Sequence, residues 1–174
     1  MPYLHKIRKA KWYKNDDPPW LNPNEIQADA LTDIGTKDNE LSVYLVDHQK
    51  NNLDQVAVAL SLTRDFVSNF DYALIREEDL ENARIKIRSD PKKGYTPDET
   101  VNSQHFDIYE ITAQELLTLA SIIRNSEIAR ITEIKMKEKA AKALFEKRID
   151  LTKIRLKSES RKEIEQLASK MVNE

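Results

Sequence analysis

The chain has no cysteine. That excludes disulfides and thiolate metal sites, and it suits a reducing compartment such as the cytoplasm. Glycine is almost as scarce, with two residues. Phosphate-cradling loops and dinucleotide turns need several closely spaced glycines, so neither chemistry is expected. The Gly-x-Ser-x-Gly arrangement of a nucleophile elbow is also missing. No stretch approaches the roughly 18 consecutive apolar residues of a membrane span. The basic start is not followed by an apolar core, so a signal peptide is not expected either. No motif implies a cofactor.

Charge is what the sequence has in abundance. Asp, Glu, Lys and Arg make up 33% of the 174 residues, above the usual quarter, which fits long solvated helices better than a compact layer alone. The net charge of -2 conceals an asymmetry. Residues 1–14 carry Lys6, Arg8, Lys9, Lys11 and Lys14 and no acid. Residues 15–122 hold 9 basic against 21 acidic residues, and residues 123–174 hold 14 against 9. An acidic body with two basic ends either satisfies itself internally or offers its ends to an anionic partner.

The organisation expected from these patterns has three parts: an extended basic and aromatic arm over 1–22, an acidic α+β domain over 23–125, and a basic helical extension over 126–174. Asp16-Asp17-Pro18-Pro19-Trp20 cannot be helical through its prolines. Trp12, Tyr13 and Trp20 are large aromatics that favour burial, so the arm is expected to strap across the domain or dock on a partner. Pro23 and Glu25 after Asn22 suggest a short helix near 23–32. Four strands are expected, near 41–46, 72–75, 84–88 and 106–111, forming a small mixed sheet. The first is nearly continuous in β-branched and aromatic residues. The third alternates Ile85 and Ile87 with three cations, as an edge strand does. Leu53, Val56, Ala57 and Leu60 form one face of a helix over about 53–68. Strand, helix and strand at that spacing fit a parallel crossover. The polar loop 89–104 is long enough to be functional or mobile.

Thr112 and Glu115 read as a capping box. From Ser126 onward there is neither Gly nor Pro. The expectation is one long helix, or a helical hairpin, projecting from the domain; a continuous rod from Thr112 to Met171 would measure roughly 90 Å. On a single helical wheel Ile131, Ile134, Phe145 and Ile149 fall on one side, and Met136, Leu144, Leu151 and Ile154 on another. Two apolar stripes imply burial on two sides. A heptad register from Ile128 places Lys135 and Lys142 in the seam, so a regular coiled coil is not expected. Ser160 and Glu163 form a second capping box, which implies a break near 157–159.

Three functional readings follow. The first is a non-enzymatic subunit that assembles with a protein partner or with itself, using Ile131, Ile134, Phe145, Ile149, Leu151 and Ile154. The second is a nucleic-acid-binding accessory protein whose cations Lys6, Arg8, Lys9 and Lys11 track phosphates while Trp12 or Tyr13 stacks on bases. The third is a small hydrolase or metal-dependent enzyme. Alternation puts His105 and Asp107 on one strand face, with Glu110 nearby, and Asp47-His48 follows another strand. With three histidines, His5, His48 and His105, an all-histidine site would need every one.

Overall fold

The computed structural model describes residues 1–8, 12, 17–22 and 25–171. Its strands are β1 (Pro2–Ile7), β2 (Leu41–Leu45), β3 (Phe70–Arg76), β4 (Ile87–Ser89), β5 (His105–Ile108) and β6 (Glu127–Ile131). Its helices are α1 (Ala28–Ile34), α2 (Leu53–Ser61), α3 (Glu77–Asn82), α4 (Glu99–Asn102), α5 (Ala113–Asn125), α6 (Glu133–Phe145) and α7 (Ser158–Lys170). The fold is α+β, with one six-stranded sheet in the order β4-β5-β2-β1-β3-β6. Every ladder is antiparallel, so the sheet is neither four-stranded nor mixed.

The two strands missing from the sequence reading precede and follow the other four in chain order. Residues 2–7 were expected in an arm; instead β1 is an interior strand, paired with β3 over six positions from Pro2↔Arg76 to Ile7↔Asp71. Its alternation sends Tyr3 and Ile7 to one apolar cluster and Leu4 to the other. β2 and β3 both run antiparallel to β1, hence parallel to each other. The β2-α2-β3 unit is therefore a crossover that skips one position, and β1 fills that position.

β6 breaks the expected rod. The α5 helix ends at Asn125 with Ser126 extended, and 127–131 pairs along the open side of β3. Arg130 forks onto Asp71 through Nε and one Nη, at 2.6 and 2.9 Å. Beyond it α6 packs on α2 and α7 packs on α6, so the C-terminal segment covers the sheet and does not project from it. The connector between them is fastened to the domain by backbone bonds: Asp150 N–H to the Pro97 carbonyl, Arg155 to Leu62 and Lys157 to Asp65.

Three layers result. On one face Leu4, Phe70, Tyr72 and Leu74 meet α2, α6 and α7 through Val56, Met136, Ala140 and Ile164. On the other, Tyr3, Ile7, Val43 and Ile75 meet α1, α3 and α5 through Ile34, Leu80, Leu119 and Ile123. Trp12 belongs to this second cluster. The loop after β4 is ordered by its own polar core. Asn102 Oδ1 accepts from the Thr96 amide at 2.8 Å, Asn102 Nδ2 donates to the Thr96 carbonyl at 3.1 Å, and Asp98 caps α4. Gly94 is required there, because a Cβ would stand 2.8 Å from the Asn102 backbone.

The capping box at Thr112 and the edge position of β4 are as the sequence indicates. The second box is not: α7 opens at Ser158, and no side chain caps it.

Leu4 is fully buried, whereas Ile134 is 72% exposed. Leu4→Ala should lower the unfolding free energy by about 2–5 kcal/mol. Ile134→Ala should change it by no more than about 0.5 kcal/mol. Urea denaturation followed by circular dichroism checks both, and similar costs for the two would contradict this layering.

Candidate functional site

An apolar groove opens where α6 ends. Leu144 and Phe145 complete the last turn of the helix. Lys147 then adopts the left-handed conformation, with φ 54°, and turns the chain. Ile149 folds back into the core, while Leu151 stays outside. The Asp150 carboxylate holds this bend by accepting from the Thr152 amide at 2.9 Å. The opposite wall is α7, which contributes Glu165, Ala168 and Ser169. The groove encloses about 660 Å³. Phe145 and Leu151 are each 47% exposed on its rim. Lys147 makes no ion pair or side-chain hydrogen bond among the described residues. Glu165 accepts from Arg161 Nε on the same helix at 2.8 Å.

Of the six interface residues expected from the sequence, the groove gathers Phe145, Ile149 and Leu151. Ile149 is buried as part of the core, so it shapes the groove from beneath. Ile131 is buried on β6, and Ile154 is half-buried against the same core. Ile134 is exposed at the first turn of α6, outside the groove lining. Lys147, Glu165, Ala168 and Ser169 were not expected, since nothing in the sequence places α7 opposite the end of α6.

A second concentration of chemistry lies around His105 and Asp107. Both side chains are buried on β5, and His105 Nε2 lies 3.7 Å from Asp107 Oδ1. His105 Nδ1 sits 2.8 Å from the Asp90 carbonyl, an acceptor only, so in the neutral ring Nδ1 carries the proton. Ser42 donates to Asp107 at 3.4 Å, not to His105, so the three do not form a nucleophile–base relay. Lys93 reaches Asp107 Oδ2 at 3.1 Å and also pairs with Glu40, which Arg88 approaches from the other side. Tyr44 meets the His105 ring edge-on at 5.1 Å. Burial, then the Asp107 charge, push its phenol up to about 12. Glu110 pairs with Lys86 and stands apart from this cluster. Asp47 organises the turn before α2 by accepting from the Asn51 and Asn52 amides. His48 lines a separate surface pocket near the N-terminus.

A pocket of about 480 Å³ beside this cluster is also lined by His5. The β1–β2 ladder registers only Tyr3↔Leu45 and Leu4↔Tyr44, so the strands part at His5. The ring is 7% exposed and its Nε2 has no hydrogen-bond partner among the described residues. Among the described residues, no three His, Cys, Asp or Glu side chains are placed to hold a metal ion together.

Of the six residues expected to bind nucleic acid, two, Arg8 and Trp12, contact Asp33. Lys9, Lys11 and Tyr13 lie outside the described residues. Trp12 is 1% exposed and its Nε1 donates to Asp33 at 2.7 Å, which removes it as a stacking ring. The Arg8 amide donates to the same carboxylate, and its guanidinium pairs with it at 3.4 Å. Lys6 remains half-buried on β1; burial, then the Arg64 and Arg8 cations, push its ammonium down to about 8.

Comparison with known protein families, with curated proteins and with solved structures finds no match. No helix among the described residues is long and apolar enough to cross a membrane.

His5 gives a pH test of this geometry. Burial pushes its imidazole down to about 4, against the opposing pull of the Ser42 backbone and Asp33. The unfolded ring takes a proton near its ordinary value, about 6.5. Between those values the unfolded chain binds more protons. The contribution is therefore complete above the unfolded value and is lost as pH falls toward the folded one. Wild type should lose about 3 kcal/mol more stability than His5→Asn when denaturation curves at neutral pH are compared with curves near pH 4 (about 1.4 kcal/mol per pKa unit). Parallel losses in the two proteins would mean that the ring is not buried neutral.

Proposed function

We propose that the protein is a non-enzymatic assembly subunit that docks a protein through the groove between the end of α6 and α7. The observation that supports this reading is the exposed pair Phe145 and Leu151 lining one groove with Leu144 and Ile149. Each stands on a segment otherwise fastened to the domain, so their exposure is not that of a loose end. Large apolar side chains grouped around a concavity, with charged residues at its margin, are the anatomy of an interaction site. Scattered single hydrophobics would carry no such reading.

Burying both side chains would add on the order of 1–2 kcal/mol each to association. Replacing them with carboxylates reverses that gain. Ile149 is not a suitable target, because a charge in the core would unfold the chain.

The test pairs tagged wild type with tagged Phe145→Asp/Leu151→Asp as baits, in an extract that also contains the untagged chain. Wild type should retain a stoichiometric companion, either another protein or the untagged chain, and the variant should lose it. Circular dichroism and the urea midpoint should stay close to wild type, because both side chains are half-exposed. Companions unaffected by the two carboxylates, or no companion for wild type, would defeat the proposal.

A further inference from the structure

The groove carries features of both sides of an interface. Phe145 at the end of α6 and Leu151 on the connector stand half-exposed on its rim, and its α7 wall presents small residues, Ala168 and Ser169. One lip carries Lys147, a cation without an ion pair among the described residues, and the other the carboxylate of Glu165. A site for a foreign segment needs only the hollow and whatever charge the segment lacks. An isologous contact between two copies needs more. The same patch must hold knob and hole, and cation and anion, because residue i of one copy meets residue j of the other and the reverse.

From this self-complementarity we propose that the occupant of the groove is a second copy of the chain, related by a two-fold axis. This rests on the docking reading above and names its partner. Phe145 of each copy enters the hollow beside Ala168 and Ser169 of the other. Lys147 of each copy faces Glu165 of the other. The Arg161–Glu165 pair within α7 does not oppose this arrangement. It is an exposed i,i+4 pair of small value, and the second carboxylate oxygen is open to another donor. The apolar centre supplies the affinity, and the two symmetric charge pairs fix the orientation.

Light scattering and sedimentation of the purified full chain test this. Wild type should run at twice the 20.2 kDa chain mass. Lys147→Glu places two acids on each lip pair, and Glu165→Lys places two cations there. Either substitution alone should weaken the dimer at least about tenfold, since like charges would face each other twice. An equimolar mixture of the two variants should restore the dimer, because each contact then joins opposite charges. The chain carrying both substitutions should also dimerise as wild type does. Circular dichroism confirms that all variants fold.

A monomeric wild type overturns the self-pairing, and so does a dimer indifferent to both single charge reversals. Separate single variants that fail to recombine on mixing also overturn it. If the wild-type chain is monomeric yet another protein is lost from the Phe145→Asp/Leu151→Asp bait, docking stands and self-pairing falls. If no companion is lost, both fall.

Discussion

The backbone ladder between β1 and β3 is the constraint on which the other elements depend. β2 and β3 run parallel because one helix connects them, but the connection leaves one strand's width between them. Left open, that gap would expose two rows of unpaired amides and carbonyls in the middle of the sheet, at the cost of desolvated polar groups once helices covered them. The N-terminal segment closes it with six registered positions against β3. The same six residues supply side chains to both apolar clusters, so the ladder also ties the two helical layers together. Even the terminal amine takes part, by pairing with Glu77 at the start of α3.

Among the described residues, part of the charge asymmetry is met within the molecule. Asp33 in the acidic body receives Arg8 and Trp12 from the first basic segment. Asp54, Glu99 and Asp65 receive Lys139, Lys153 and Lys157 from the last one. Each exposed pair is worth little by itself. Together they join a basic C-terminal segment to the acidic domain beneath it. Residues 126–174 were read as a basic helical extension because composition reports charge and helix propensity but not what lies beneath.

Much of the fold was legible where one local rule dominated. The Thr112 cap, the α2 stripe, the continuous apolar run of β2 and the edge cations around Ile87 each lead to the right element. β1 was illegible because His5 and Lys6 break its apolar alternation, and their burial depends on a neighbour contributed by residues 70–76. β6 was illegible for the opposite reason: Glu127, Ile128, Ala129 and Arg130 suit a helix well, and only the open side of β3 makes them a strand. The missing glycines and prolines were therefore a poor guide, since α5 ends at Ser126 and α6 opens at Thr132 without either.

The same breaks decide which apolar residues face outward. A single helical wheel over 128–156 carries one phase through a strand, a helix and a bent connector, so it groups Ile131 and Ile149 with Phe145 although their environments differ. The phase is reset twice, once in β6 and once at Lys147, where the left-handed backbone turns the chain at the end of α6. Within α6 the inward face is built from Met136 and three alanines, 140, 141 and 143. Phe145, the last residue of α6, lies off that buried face and stays 47% exposed, beside the small residues Ala168 and Ser169 that α7 brings to the same groove. The helix ends at Phe145 and the chain turns at Lys147, a change of direction that no single helical wheel drawn through the segment can represent.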